Sequence, residues 1–488
     1  MKPRGMKNDV LYKFALAFTL FITAGAAYAQ VTAEDVVWDF ECASLDTVYD
    51  SGTNNLRLQL KLDSIPGDLY GWYFFKIFRN ASGQTVNFII LNPDGWVGSN
   101  HQPFYSYDRQ NWQPIFDVRM QGGQQHFTHT FVRDSVYIAQ TFPYTCSDLQ
   151  LYFDSRSCSP YFAYDIIGQS VHRRDIHLVT LSDPDVPQEQ KQTCWIIARQ
   201  HPMETPPSYL LEGLMDYLTG TIGMPGGSPE ILKRITFKIV PMVNVDGAAE
   251  GFSRQNASGI NLNRCWCNDT TYIGEEPEVN AVHRALDAYI DSGYTIDFFA
   301  DMHAAPDLYD FGYRLTENYT SPAYFSNIGS FLHHLQRHDE FQDSARWRAM
   351  DRNYGSGLSR IELYDQHGLP GVSNENSWSR RDDGSAINIP SLRIEGFRYA
   401  QAIYDYLVPL RFCDTTGNEV DSLIIGEPFH ISVYDPDENT SNFIRQVVLA
   451  KLLVPASGDT EVVALQETEP ASGRFYNPTA IELAAGQG

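Results

Sequence analysis

The sequence predicts an α/β domain built on a mixed or parallel β-sheet covered by helices on both faces, preceded by an N-terminal β-sandwich and followed by a smaller one. Three stretches of different texture support this. Residues 31 to about 150 carry short strand-like runs between turn residues, residues 155–411 alternate apolar runs with helix-like ones, and strand-like runs return after Phe412-Cys413-Asp414. Short strands bounded by turns mark sandwiches, whereas strands alternating with helices give a sheet buried on both faces. The segments expected are 1–29, 30–152, 153–412 and 413–488.

The first 29 residues read as a secretory signal. Lys2, Arg4, Lys7 and Lys13 supply positive charge, residues 14–27 are apolar, and Ala27-Tyr28-Ala29 fits a cleavage site. The apolar run is too short to favour a membrane span, and no other stretch is long enough to compete with it. The expectation is an exported bacterial protein, periplasmic, cell-surface or extracellular, with no stable membrane insertion. Without the signal, 32 basic and 59 acidic side chains leave a net charge of −27. Such a chain repels nucleic acid and anionic membranes, so charge excludes partners better than it names them.

In the expected N-terminal sandwich, Leu56-Arg-Leu-Gln-Leu-Lys-Leu62 alternates, residues 72–78 are aromatic-rich, and residues 86–91 follow a Ser82-Gly83 turn. Tyr105, Tyr107 and Trp112 read first as core packing rather than as a glycan- or peptide-binding surface. In the α/β segment, strands are expected at 179–181, 194–198, 237–243, 296–300 and around Ile394. Helices are expected at 209–218, 278–290 and 399–407. In the tail, residues 429–434, 445–454, 460–466 and 474–476 are strand candidates, separated by Asp435-Pro-Asp-Glu-Asn439 and Ser457-Gly-Asp459.

All seven cysteines follow the signal. Export permits disulfides, but an odd count leaves one thiol unless it pairs between chains. Cys146 and Cys158 are near enough in sequence for a local bridge. Cys265-Trp-Cys267 has no second such pair and reads as packing rather than as a metal site.

The chemistry gathers in the middle segment. In His201-Pro-Met-Glu204, an imidazole and a carboxylate three residues apart after a strand can converge on one Zn²⁺. His303 offers a third ligand at a second strand end, and Glu395 of Ser391-Leu-Arg-Ile-Glu395 offers a base at a third. Asn244-Val-Asp-Gly247, Arg254 and Asn261-Leu-Asn-Arg264 complete the set, since guanidinium forks near a metal would fix an anionic substrate group.

In this order the motifs resemble the zinc metallocarboxypeptidases, particularly the cytosolic-type branch that includes deglutamylases, over roughly residues 155–411. The resemblance implies one zinc per chain held by His201, Glu204 and His303, with Glu395 as the base that activates the attacking water. It also implies that Arg254 polarises the scissile carbonyl and that Asn263 and Arg264 hold the substrate's terminal carboxylate, which makes peptide or protein C-termini the partners. The segment before the catalytic domain resembles the β-sandwich of that branch, and the tail resembles immunoglobulin-like repeats of bacterial surface proteins. Two positions depart from the family: Met203 stands where Gly is usual, and Asn261 where an Asp bonds the first ligand histidine.

Arg393, two residues before Glu395, would share its face on a strand and reach the side chain of an acidic C-terminal residue. The competing reading pairs Arg393 with an internal carboxylate, and Arg380-Arg381 are a second candidate for that role. Two further readings share these residues. One is a zinc-dependent N-acyl-amino-acid deacylase; the other is a surface-binding protein whose carboxypeptidase-like domain no longer turns over.

Overall fold

A computed structural model describes residues 30–63, 71–93, 101–221, 228–268, 270–306, 309–353, 355–378, 381, 384–417, 419–420, 423, 427–434, 444–454, 459–470 and 472–482. The signal-like segment, Arg380 and the Asp435–Asn439 turn lie outside them. No helix among the described residues is long and apolar enough to cross a membrane.

The N-terminal part holds two five-stranded sheets. One runs in the order Val36–Val37, Phe74–Ile77, Val136–Ala139, Phe104–Ser106, Gln113–Pro114. The other runs Thr47–Asp50, Asn55–Gln59, Thr85–Ile90, Gln124–Thr130, Asp117–Gln121. Alternate residues, among them Leu56, Leu58, Phe75, Ile77, Phe88 and Phe127, point inward and form one buried core. Trp112 is buried too, against Phe74, so the packing reading of these aromatics holds for it.

The middle part is an eight-stranded mixed sheet ordered Phe162–Gln169, Asp175–Leu181, Ile235–Val240, Gln192–Ala198, Phe298–Ala305, Gly371–Ser377, Asp310–Leu315, Gln342–Met350. Its four central strands are parallel to one another. From Gln192–Ala198 the chain crosses first to one neighbour, Ile235–Val240, and then to the other, Phe298–Ala305. That reversal opens a crevice at the carboxyl ends of the strands, where ligands bind in such sheets.

The helix Ile389–Leu407 replaces the strand expected around Ile394. The alternation Leu392-Arg-Ile-Glu395 suggests a strand, but Asn388 accepts a hydrogen bond from the Ser391 N–H and closes a capping box, and Pro390 sits in the first turn. The helix packs closely on Pro206–Leu218. A Cβ on Gly396 would lie 1.9 Å from the Leu210 carbonyl oxygen, and one on Gly213 would lie 2.0 Å from that of Arg393. Glycines at both crossing points let the two backbones touch.

The tail strands form a single six-stranded sheet ordered Leu410–Cys413, Pro428–Tyr434, Arg474–Tyr476, Asp459–Glu467, Val447–Val454, with Ile481–Glu482 also paired on Pro428–Tyr434. No facing second sheet is present among the described residues of the tail. The Cys146–Cys158 bridge is not formed, and none of the seven cysteines is in a disulfide. The helix Cys146–Arg156 separates the two by about 16 Å of axial rise, well beyond the reach of a disulfide.

Candidate metal centre and substrate pocket

His201, Glu204 and His303 stand at the carboxyl ends of two neighbouring central strands. The turn after Gln192–Ala198 is held by Arg199, a buried residue at φ 60°, whose guanidinium donates to the Pro202 carbonyl and to Ser208 Oγ. This brings His201 and Glu204 to the crevice. Asn244, after Ile235–Val240, donates to the carbonyls of Gln200 and Gln255, and its Oδ1 accepts from Gly247 N. One amide thus ties the His201 turn to the segment carrying Arg254. Gly247 is required because a Cβ would meet Pro202 at 2.3 Å.

A cavity of about 180 Å³ is lined by His201, Glu204, Arg254, Asn263, Arg264, His303 and, from the far wall, Tyr313, Leu358, Arg360, Ser373 and Glu375. His201 Nδ1 lies 2.8 Å from Glu204 Oε1, and His303 Nδ1 lies 2.7 Å from Glu204 Oε2. Three buried donors therefore converge on one point, and two imidazoles with a carboxylate are a catalytic zinc set with a position left open. The opposite ring nitrogens are held from behind. His201 Nε2 is 3.0 Å from Asn261 Oδ1, and His303 Nε2 is 3.0 Å from Asp301 Oδ2. Asp301 in turn accepts from Ser359 Oγ and Gln200 Nε2. The residues fit the metal, and the Asn261 amide occupies the place from which a carboxylate would orient the first histidine.

Electrostatics follow from burial and neighbours. Burial pushes the His201 pKa down to about 4, with Arg254 adding to the effect, so the ring is neutral and available as a ligand. Burial opposes charge on His303, but Asp301 and Glu204 outweigh it and raise its pKa. Burial likewise opposes ionisation of Glu204, yet His201 and His303 hold its pKa below the usual carboxylate range. Arg254 reaches within 3.6 Å of Glu204.

Arg254 is also held from the N-terminal sandwich. Asp63 Oδ1 accepts from Ser253 N at 3.0 Å, while its Oδ2 accepts from Arg254 N and Gln255 N at 2.5 and 2.7 Å. Asn263 Nδ2 lies 3.1 Å from His303 Nε2, Asn263 Oδ1 accepts from Ser359 N, and Arg264 Nη1 donates to the Asn263 carbonyl.

Glu395, expected as the base, does not line this pocket. Glu395 sits on the helix Ile389–Leu407, paired with Arg381 and grouped with Asp310 and Asp339. It contacts Asn376, whose side chain points to the sheet face opposite that of Glu375. The carboxylate in the pocket is Glu375, directly beside His303 in the parallel pairing. Burial, then the Glu204 charge, pushes its pKa up to about 8. A carboxylate with a raised pKa in a metal pocket is a candidate proton-transfer group. Sequence reasoning passed over it because Ser373-Asn-Glu-Asn-Ser377 reads as a polar loop.

Arg393 does not line this pocket either. On the helix it pairs with Glu212, so the internal-carboxylate reading is the one observed, and Arg381 is taken by Glu395. The cation on the far wall is Arg360, buried, with Nη1 donating to Ser373 Oγ and with Nε and Nη2 lacking hydrogen-bond partners. Arg360 thus presents a buried positive charge to the cavity.

Comparison with known proteins gives matches over both the N-terminal and the middle parts of the chain. The zinc carboxypeptidase family model matches residues 155–417, and the model of the cytosolic carboxypeptidase N-terminal domain matches residues 36–141. Cytosolic carboxypeptidase 6 of Homo sapiens is 27% identical over 285 residues, which cover 54% of this chain and 56% of that protein. Its Mus musculus counterpart is 29% identical, with 54% and 52% covered, so the chain spans about half the length of these relatives. Among solved structures, a metallo-carboxypeptidase from Burkholderia cenocepacia superposes with a TM-score of 0.67 at 25% identity, covering 76% of this chain and 98% of that one. One from Pseudomonas aeruginosa, at 22% identity and a TM-score of 0.66, shares the fold.

Proposed function

Because the chain belongs to the zinc carboxypeptidase family, we propose that it removes single C-terminal residues from peptides or proteins, preferring acidic ones, with Glu375 as the base. The observation that carries this reading is the convergence of His201 Nδ1 and His303 Nδ1 on the two oxygens of Glu204, with Glu375 in the same cavity.

Bound there by His201, Glu204 and His303, zinc would supply Lewis acidity, bringing the pKa of a water from ~15.7 to about 7 and stabilising the oxyanion of an attacked carbonyl. The remaining steps belong to the chain. Glu375 takes the proton of the attacking water and returns it to the leaving amine. Arg254, fixed at its backbone by Asp63, directs its guanidinium at the carbonyl oxygen, where negative charge develops. Arg264 and Asn263 hold the terminal carboxylate, which confines cleavage to the last peptide bond. Arg360 offers its unpartnered N–H groups to the carboxylate of a C-terminal Glu or Asp, because a buried guanidinium gains most from a planar anion that it can bind with two parallel bonds.

Export is part of the proposal and rests on residues 1–29 and the free-standing signal pattern they carry. The net negative charge of the chain argues against nucleic acid as a partner. The test is mass spectrometry of a peptide mixture that varies only in the C-terminal residue, incubated with the zinc-loaded protein. Loss of single residues, fastest from Glu and Asp termini, is expected. Cleavage of N-acyl amino acids without loss from peptides would favour a deacylase, and no turnover of either would favour a binding protein.

A further inference from the structure

A second group of metal-ligating side chains lies away from the pocket. The helix Pro277–Asp291 carries His283 and Asp287 at i and i+4, so both leave one face. The helix Ser359–His367 ends against that face and brings His367. One donor atom from each of the three lies within 4.8 Å of the others. His283 Nδ1 is engaged by Glu275 Oε1 at 2.6 Å, and its Nε2 faces the end of the second helix, 2.8 Å from Gln366 Oε1. The Tyr272 hydroxyl donates to Asp287 Oδ2 at 2.6 Å, which leaves Oδ1. His367 Nε2 stands 2.8 Å from that Oδ1, yet neither atom makes a hydrogen bond. The two form an ion pair without the alignment of a hydrogen bond. Glu275, whose side chain is fully buried, has a second oxygen with no partner.

We propose that this cluster is a second, structural zinc site, ligated by His283 Nε2, Asp287 Oδ1 and His367 Nε2 and distinct from the centre at His201. A tetrahedral zinc with bonds of ~2.0–2.1 Å holds its ligand atoms about 3.4 Å apart, so only small side-chain movements are needed. The groups behind the ligands are those that a zinc site uses. Glu275 on His283 Nδ1 is the carboxylate–histidine pairing that fixes a ligand's tautomer and orientation, and Tyr272 fixes Asp287 in the same way. Gln366 Oε1 or a water fills the fourth position.

The site would brace the wall of the substrate pocket without touching substrate. Glu275 accepts from Cys267 N, which anchors the loop that follows Asn263 and Arg264. The helix bearing His367 also carries Ser359, whose N–H holds Asn263, and Arg360.

The test is the zinc content of the full chain after loading and dialysis against a weak chelator. Two zinc ions per chain are expected in the parent, and one each in Asp287→Asn, in the milder His367→Gln, and in His201→Ala. Zinc should still raise the melting temperature of His201→Ala, and that rise should vanish in His201→Ala/His367→Gln. A parent with one zinc and a His201→Ala variant with none would overturn the proposal, as would a count of two that survives both Asp287→Asn and His367→Gln. The two sites are read by different variants, so failure of zinc to bind at His201 would show as an unchanged count in His201→Ala and leave this result interpretable.

Discussion

Replacing Asn261 with Asp should tighten zinc binding, and the structure sets the size of the effect. Asn261 is buried; its Oδ1 accepts from His201 Nε2 and from Asn263 N, both at 3.0 Å, and its Nδ2 has no partner. The orphaned Nδ2 costs about 1–3 kcal/mol, but it does so with and without metal and therefore cancels from the affinity. What does not cancel is the new charge. In the metal-free protein a carboxylate at 261 joins Glu204, Asp301 and Glu375 in one buried region and destabilises it. With a divalent cation on His201 Nδ1, the same carboxylate accepts a stronger bond from Nε2–H and makes the ring a better donor. Groups in this position commonly change metal affinity by ~10–100-fold, or about 1.4–2.7 kcal/mol. Competition against a chelator of known zinc affinity measures the gain, and the gap between zinc-loaded and metal-free melting temperatures should widen in parallel. Unchanged or weaker binding in Asn261→Asp would refute the claim that the neutral amide limits this site.

Three other outcomes are expected. Arg360→Gln should abolish the preference for acidic C-termini, lowering kcat/KM for Glu-ended peptides by about 10–100-fold while sparing apolar-ended ones, because one charge-assisted bond is worth roughly 1.5–3 kcal/mol; Arg393→Ala should leave that preference unchanged. Asp63→Ala should lower kcat more than it raises KM, at undiminished zinc content, since it frees the backbone that aims Arg254; a change confined to thermal stability would contradict this. Zinc uptake should be pH-dependent: without metal, His303 has a raised pKa and Glu375 one of about 8, so both carry protons at neutral pH. Binding there should release roughly two protons and strengthen as pH rises towards 8, read from the buffer dependence of the calorimetric heat.

Much of the site is legible in the chain because its ligands punctuate apolar strands. Cys194-Trp-Ile-Ile-Ala198 is plainly a buried strand, so His201 and Glu204 just beyond it stand out, and Phe298–Ala300 does the same for His303. Glu375 has no such frame. Its strand separates two polar regions, the metal pocket on one face and the Asp310, Asp339 and Glu395 group on the other, so both faces are lined by Ser and Asn and the apolar signal disappears. Glu395 misled for the opposite reason: four residues of alternation outweighed a capping box and an early proline that start a helix. Asp63 carries no local signal, since its function exists only once the sandwich docks beside residues 253–255. Arg360 and Arg393 differ only in their neighbours, Ser373 for one and Glu212 for the other, which are brought near by the fold.

The most direct measurement sets Glu375→Gln beside Glu395→Gln, each zinc-loaded, on one peptide with a C-terminal Glu. The expected result is that Glu375→Gln retains zinc and loses turnover by several orders of magnitude, while Glu395→Gln turns over at close to the parent rate once corrected for folded fraction. Near-normal turnover in Glu375→Gln, or its selective loss in a folded, zinc-loaded Glu395→Gln, would contradict it.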